Sequence, residues 1–356
     1  MREVRKNGSV ITQLHDPSIR TFTSDNAAGA HPQVLEALVT ANGGHVGAYG
    51  ADPYSAAFQA LCRELFGAEA IGLPVFNGSG ANVVALQSMV PRWGGVVCPA
   101  SAHINTDENA APERVGGVKL LTVETPDGKL APADIVRAAA VRRDVHRATP
   151  LAVSISQATE VGTAYSPVEV RALADAAHAN GMWLHVDGAR LSNAAAHFGC
   201  SLAEVSSAAG ADVISLGGTK NGALAAEAVV VVNPEAVYGA EEARKIDLQL
   251  SSKMRFVSAQ LLALFGGDLW RVNAEHANAM AARLAAGIEA VDGCSVPLPR
   301  QANGVFAVLP GEIAERVSEN YAFHTWDAST GLVRFLCSWD TTESDVDGLI
   351  AAVAGA

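Results

Sequence analysis

The feature that most constrains the fold is an alternation of short, continuously apolar segments with helical segments through the first two thirds of the chain. The apolar segments are residues 71–76, 96–98, 120–123, 151–155, 183–186, 213–216 and 228–232. Strands that are apolar along their whole length are buried on both faces, which is typical of parallel sheets covered by helices. The sequence therefore predicts an α/β fold with a mostly parallel sheet.

The pattern changes after about residue 241, which indicates a second domain. Alanine-rich helices are predicted at 258–265 and 273–291, followed by strand-like segments at 304–309, 322–326 and 333–337. A chain of 356 residues also exceeds the size of one ordinary hydrophobic core. We predict an N-terminal arm (1–20), a large domain (21–250) and a smaller α+β domain (251–356).

Charge and cysteine content narrow the classes of function. The net charge of −12 argues against a nucleic-acid partner, which requires a basic face, and against an anionic membrane surface. The five cysteines form no CxxC pair and are expected to be reduced thiols of a cytoplasmic protein. We expect no signal peptide, no membrane-spanning helix and no metal site.

Lys220 is the first candidate for chemistry. The strand at 213–216 runs into Gly217 and Gly218, and a further glycine follows the lysine. Glycines on both sides permit a sharp bend and leave room for a flat ligand, and the carboxyl ends of strands are where α/β sheets bind ligands. We hypothesise that Lys220 forms a Schiff base with pyridoxal phosphate; the alternative is a solvated lysine in a surface loop.

Three further side chains are predicted near the same edge of the sheet. Asp187 ends the strand at 183–186 and is suited to pairing with a protonated ring nitrogen, or to capping a helix. Arg190 is suited to a carboxylate ligand or to a surface ion pair. His103 follows the strand at 96–98 and is suited to stacking on a cofactor or moving protons, or to a structural role. His146, before the strand at 151–155, is a second candidate base.

Two other features are suited to binding anions. Gly78, Ser79 and Gly80 join a strand to a helix, whose first amides are a natural phosphate site; a tight loop without a ligand is the alternative. The spacing matches neither GxGxxG nor GxxxxGK[ST]. Arg334 lies in an apolar strand of the small domain and requires a partner there, either a substrate carboxylate or an internal acidic residue.

The order of these motifs along the chain resembles the threonine aldolase family, from about residue 21 to near the C-terminus. The most specific matches are residues 22–26, 185–190 and 215–222. The resemblance implies the aspartate-aminotransferase fold (fold type I of the pyridoxal-phosphate enzymes), shared with the β-eliminating lyases. Residues 77–80 and 158–160 depart from the family pattern, which leaves the substrate open.

The resemblance also implies roles for single residues. The cofactor would be bound by Lys220, Asp187, His103, Gly78, Ser79 and Gly80, with Lys253 reaching the phosphate from a partner subunit. The substrate would be bound by Ser24, Arg190, Arg334 and Tyr49, with His146 and Glu108 also near the site.

The function that the resemblance implies is retro-aldol cleavage of a β-hydroxy-α-amino acid of the threonine type to glycine and an aldehyde. The enzyme would be a carbon–carbon lyase and a homodimer or homotetramer with sites at the subunit interface. One alternative is another pyridoxal-phosphate reaction, such as β-elimination, racemisation or transamination. Others are a nicotinamide oxidoreductase, for which a third glycine and an acidic residue are missing, and a catalytically silent binding protein.

Overall fold

The computed structural model describes residues 13–141 and 144–355. Residues 1–12 of the predicted N-terminal arm lie outside the described residues, and so do residues 142 and 143. No helix in the described ranges combines the length and the apolar character that crossing a membrane requires.

A seven-stranded sheet forms the centre of the fold, with the strand order β1-β7-β6-β5-β4-β2-β3. Strands β2 to β6 pair in parallel, and β7 lies antiparallel between β6 and β1. The prediction of a mostly parallel sheet is therefore confirmed. The strands are β1 (Ile71–Val75), β2 (Gly94–Pro99), β3 (Lys119–Val123), β4 (Thr149–Ser156), β5 (Trp183–Gly188), β6 (Val213–Gly217) and β7 (Glu227–Val231).

Helices cover both faces of this sheet. The helices of the described residues are α1 (Pro32–Ala41), α2 (Pro53–Phe66), α3 (Gly78–Met89), α4 (His103–Thr106), α5 (Ala111–Arg114), α6 (Pro132–Ala139), α7 (Pro167–Ala179), α8 (Leu191–Phe198), α9 (Ala240–Ile246), α10 (Arg255–Phe265), α11 (Leu269–Glu289), α12 (Gly311–Ser318) and α13 (Glu343–Ala354). Of these, α12, α13 and the second half of α11 pack in the core of the smaller sheet described below. Alternate residues of one strand enter different apolar clusters: Val97 packs with α2 and α7, whereas Val96 packs with α3. This two-sided burial explains why the strands are apolar along their whole length.

The C-terminal part of the chain contains a three-stranded antiparallel sheet in the order β8-β10-β9. Its strands are β8 (Gly304–Val308), β9 (His324–Asp327) and β10 (Leu332–Leu336). Phe22, which the sequence analysis assigned to the large domain, packs into the core of this small sheet. Its backbone receives the Leu336 N–H at 2.8 Å and donates to the Ala322 carbonyl at 3.1 Å. The segment that carries Ser24 is thereby attached to the small sheet.

Candidate active site

Lys220 lies on a 3-10 turn (Thr219–Asn221) that directly follows β6 at its carboxyl end. Glu227 of β7 holds this turn, because its carboxylate accepts the backbone N–H groups of Gly218 at 2.8 Å and Thr219 at 3.3 Å. Gly217 is required here, since a Cβ at this position would lie 2.6 Å from the Ala189 carbonyl oxygen. Burial lowers the pKa of Lys220, and the nearby Arg190 charge lowers it further. A larger fraction of this amine is therefore neutral than for an exposed lysine.

A cavity of about 230 Å³ opens above Lys220, between the large sheet and the small sheet. A cavity of this size suits small-molecule ligands. Predicted site residues from distant parts of the sequence line it: Ser24, His103, Arg190, Lys220 and Arg334.

A continuous chain of hydrogen bonds joins Asp187 to His103. The Asn82 side-chain amide donates to Asp187 Oδ2 at 2.9 Å and to Glu108 Oε1 at 2.8 Å. Glu108 Oε1 also contacts His103 Nδ1 at 2.9 Å. The hydrogen bond with Glu108 raises the pKa of His103, although burial opposes the shift. Asn82 therefore separates two buried carboxylates and couples the position of the imidazole to that of Asp187.

Glu160 is a second buried carboxyl group beside His103. Its Oε1 accepts the His103 backbone N–H at 2.8 Å and the Ser156 hydroxyl at 2.7 Å. Burial raises the pKa of Glu160, and the Asp187 carboxylate contributes in the same direction. The loop that carries His103 is thus anchored to the carboxyl end of β4.

Three buried oxygens at this edge of the sheet have no hydrogen-bond partner among the described residues: Asn82 Oδ1, Glu108 Oε2 and Glu160 Oε2. Buried polar atoms in folded proteins are almost always paired, so such a cluster indicates a polar group that does not belong to the chain. The unpaired atoms are acceptors, and pyridoxal phosphate would bring two donors, a protonated ring nitrogen and a hydroxyl group. With the buried amine of Lys220 and the carboxylate of Asp187, the residues present fit this cofactor.

The two arginines of the cavity differ in their partners. Arg190 donates from Nε and Nη2 to both oxygens of Asp25, at 2.7 and 2.9 Å, and Asn303 donates to the same carboxylate at 3.0 Å. Arg334 donates a hydrogen bond from Nη2 to the Thr23 carbonyl at 3.3 Å, and its Nε has no partner among the described residues. The charge of Arg190 is therefore balanced by Asp25, whereas Arg334 retains free donors for an anion.

Asp25 is expected to be essential for stability, because it is 2% exposed and neutralises Arg190. Burial works against its ionisation, but the Arg190 guanidinium holds the pKa of Asp25 below its usual value. Substitution by asparagine leaves a buried cation without its counter-charge. We expect Asp25→Asn to lower the free energy of unfolding by about 3 kcal/mol, measured by urea denaturation at pH 7.

The lowered pKa of Asp25 predicts how the difference in the free energy of unfolding between wild type and Asp25→Asn depends on pH. The contribution of Asp25 is fully present above the ordinary aspartate pKa and is lost as the pH falls through the lower folded-state pKa. The difference between wild type and Asp25→Asn should therefore shrink only in strong acid. Asp347→Asn is the matched control, since Asp347 forms the same two-bond contact with Arg283 on the surface; an equal loss in both variants would contradict the prediction.

The residues predicted to bind phosphate begin α3. Asn77 caps this helix by accepting the Gly80 N–H at 2.7 Å, and Gly78 and Ser79 occupy its first two positions. One turn further on, Asn82 contacts Asp187. The start of α3 therefore lies beside the hydrogen-bonded chain described above, although it does not line the cavity itself.

Three predicted site residues lie away from both the cavity and the hydrogen-bonded chain beside it. Tyr49 is 53% exposed, with Lys245 Nζ 4.8 Å from the centroid of its ring, and Lys253 is also exposed. His146 is exposed on the turn before β4 (Thr149–Ser156), at the amino end of that strand. Because the cavity lies at the carboxyl end, about 25 Å along the strand, His146 does not reach the cavity of its own chain.

The sequence analysis assigned no role to Asn82, Asp25, Glu160 or Trp326. Asn82 is an amide in the first turns of α3, next to an apolar run, and Glu160 lies four residues after the carboxyl end of β4. Both positions could therefore have been recognised from the sequence as candidates for the site. The partners of Asp25 and Trp326 lie far away in the sequence, and no local pattern indicates them.

Comparison with known proteins gives consistent matches over most of the chain. The family model described as beta-eliminating lyase matches residues 21–310. The low specificity L-threonine aldolase of Pseudomonas aeruginosa is 41% identical over 322 residues, which covers 90% of this chain and 93% of that protein. A protein with the same description from Pseudomonas sp. is 40% identical over 334 residues, covering 93% and 96%.

Solved structures also show similarity to a threonine aldolase. The threonine aldolase of Leishmania major superposes with a TM-score of 0.88 at 29% identity, covering 94% of this chain and 98% of that one. Oryza sativa TDC, solved with PLP and tryptamine, superposes with a TM-score of 0.74 over 94% of this chain and 83% of its own. Its identity of 17% shows a shared fold alone.

Proposed function

Because this chain belongs to the beta-eliminating lyase family, we propose that it is a pyridoxal-phosphate enzyme that cleaves a β-hydroxy-α-amino acid of the L-threonine type. The products are glycine and an aldehyde, so the enzyme is a carbon–carbon lyase. The observation that carries the proposal is the convergence of the Lys220 amine, the Asp187–His103 chain and the free Arg334 on one cavity.

The cofactor is held, in this proposal, by Lys220, Asp187, His103 and the start of α3, with the lysine as the covalent attachment point. The lowered pKa of Lys220 supports this role, because only a neutral amine attacks a carbonyl. Asp187 keeps the ring nitrogen protonated. When bound, pyridoxal phosphate supplies a ring that accepts the electron pair released as the Cα–Cβ bond of the substrate breaks.

The substrate carboxylate is held by Arg334 and Ser24, both of which line the cavity. Arg190 adds positive charge and one remaining guanidinium nitrogen, Nη1, since its Nε and Nη2 are bound by Asp25. Fixing the carboxylate orients the substrate so that the bond to be broken stands across the plane of the cofactor.

His103 removes the proton of the β-hydroxyl group, directly or through one water molecule. Glu108 occupies its Nδ1, which leaves Nε2 as the ring nitrogen for the substrate. The Glu160 carboxylate holds the backbone of the same residue. His146 takes part only if a second copy of the chain brings it to the cavity.

A second copy of the chain is part of the proposal. Tyr49, Lys245, Leu248 and Lys253 form one exposed surface, in which Leu248 is 83% exposed. The Gln249 side chain next to it lies against Gly80 at the start of α3. A partner on this surface would adjoin the proposed phosphate site and bring Lys253 to it. A solution mass equal to one chain would contradict the proposed dimer or tetramer.

Two further points belong to the proposal. The free cysteines, of which Cys62, Cys98 and Cys337 are buried, support a reducing compartment such as the cytoplasm. Burial raises the pKa of each of these three thiols to about 12, which keeps them protonated. A division into large and small domains near residue 250 places the cavity between the two.

The purified protein tests the proposal directly. We expect it to be yellow, to lose this colour with hydroxylamine, and to release glycine from L-threonine, L-allo-threonine and phenylserine. A coloured protein that forms no glycine would belong to another class of enzyme. Release of 2-oxobutanoate and ammonia from L-threonine would indicate an eliminating lyase, formation of the D-amino acid a racemase, and transfer of the amino group to an added keto acid an aminotransferase. A colourless protein that needs no pyridoxal phosphate would refute the proposal.

A further inference from the structure

Trp326 is the extra residue of a β-bulge beside the cavity. Strands β9 and β10 pair Thr325 with Val333 and Asp327 with Leu332, so Trp326 has no partner in the ladder. Bulges bend a strand locally and redirect a side chain, and they are common next to active sites. Trp326 lines the cavity together with His324, which precedes it by two residues and therefore lies on the same face of β9.

The indole of Trp326 contacts a row of side chains on the cavity face of the small sheet. Phe306, Arg334 and His324 are direct cross-strand neighbours in this row. The guanidinium carbon of Arg334 lies 5.3 Å from the centroid of the Trp326 ring, and the Phe306 ring packs at 89° to that ring with centroids 5.1 Å apart. On the other face of the sheet, Val333 and Phe335 are buried in the core. The guanidinium is therefore restrained by aromatic rings.

This arrangement differs from that of the other arginine in the cavity. Both donors that fix Arg190 are used by Asp25, whereas the face of an aromatic ring attracts a guanidinium without using its N–H groups. A carboxylate partner for Arg334 would compete with a carboxylate ligand. An aromatic partner fixes the same cation in place and leaves its donors and its charge available.

We propose that Trp326 is a positioning residue, which holds the Arg334 guanidinium in the orientation that binds the α-carboxylate of the substrate. This inference rests on the proposed function, since it assumes an amino-acid substrate in the cavity. It assigns selectivity for the carboxylate to a bulge of the small sheet as well as to the arginine itself.

The test is the kinetics of L-threonine cleavage by the loaded enzyme. We expect Trp326→Leu to raise KM about tenfold, because the half-buried cation–π contact with Arg334 is lost, and to change kcat less than about threefold. Trp326→Phe retains a ring face and should raise KM less than about threefold. Inhibition by glycine should weaken in Trp326→Leu, whereas inhibition by L-threoninol, which has no carboxylate, should not change.

A double-mutant cycle separates this role from a structural one. If Trp326 acts through Arg334, adding Trp326→Leu to Arg334→Ala should change KM less than about twofold. Trp93→Leu is the control, because Trp93 is 65% exposed and lies outside the cavity lining; this variant should match wild type. Trp326→Met, which fills space without a ring, replaces Trp326→Leu if that variant does not fold.

Two results would overturn the inference. One is an unchanged KM in Trp326→Leu, and the other is an equal rise in KM with and without Arg334. Both are distinct from failure of the proposed function, which would appear as wild-type protein that releases no glycine from L-threonine.

Discussion

Replacement of Lys220 by alanine is expected to lower kcat/KM for L-threonine on the order of 10⁴-fold or more, because the covalent attachment of the cofactor is lost. Among the described residues that line the cavity, Lys220 is the one lysine, so no neighbour can substitute for it. The absorption band of the bound cofactor should disappear together with glycine formation. In wild type, borohydride reduction should fix the cofactor to the peptide that contains Lys220, as measured by mass spectrometry.

The control for this variant is a lysine of similar chemistry outside the cavity. Lys119 is exposed and pairs with Glu113 on the surface, so Lys119→Ala should retain both the absorption band and the activity. Circular dichroism should show that Lys220→Ala remains folded. If Lys220→Ala retained the band and the cleavage activity, the assignment of this residue would be wrong.

Asp187→Asn is expected to lower kcat by a factor on the order of 10² to 10³ while the cofactor stays attached to Lys220. Asparagine has the same shape, and its carbonyl oxygen can still accept the Ala189 N–H that Asp187 Oδ1 accepts at 3.1 Å. A neutral amide does not hold a proton on the ring nitrogen, so the cofactor loses its ability to accept electrons. Turnover should fall without loss of the bound cofactor, which distinguishes this variant from Lys220→Ala.

Asp212→Asn is the matched control for Asp187→Asn, because Asp212 lies at the amino-terminal edge of the same sheet. It precedes β6 and accepts hydrogen bonds from the Leu184 N–H and the Asn233 side chain, both structural contacts. Asp212→Asn should lower the unfolding temperature and leave the kcat of the folded enzyme unchanged. Equal loss of kcat in the two variants would show that Asp187 acts through the stability of the sheet.

The residues that the sequence analysis placed correctly at one edge share a simple property. His103 and Lys220 each follow a strand of the parallel part of the sheet within a few residues, and Asp187 is the second-last residue of β5. The carboxyl ends of parallel strands meet at one edge, so local strand patterns suffice to predict this grouping. His146 stands before a strand, and the same rule places it at the opposite edge, where the structure has it.

Contacts between distant segments were not predictable in this way. Asp25 binds Arg190 across 165 positions of sequence, and Asn303 approaches the same carboxylate from β8's amino end. Neither the apolar pattern of β10 nor the position of Arg334 in it indicates whether that arginine is neutralised. The sequence analysis assigned the substrate carboxylate to both arginines. Only the folded structure shows that Asp25 binds Arg190 and that Arg334 has no carboxylate partner among the described residues.

Short-range patterns of hydrophobicity and glycine are sufficient to predict the parallel sheet, the edge of the sheet that carries the site and the candidate lysine at that edge. Which charges are balanced, which polar atoms have no partner among the described residues and which ring lies over Arg334 are visible only in the folded structure. These properties depend on packing between the two sheets. The energy of a buried charge is set by the neighbours that reach it in space, and local sequence does not specify those neighbours.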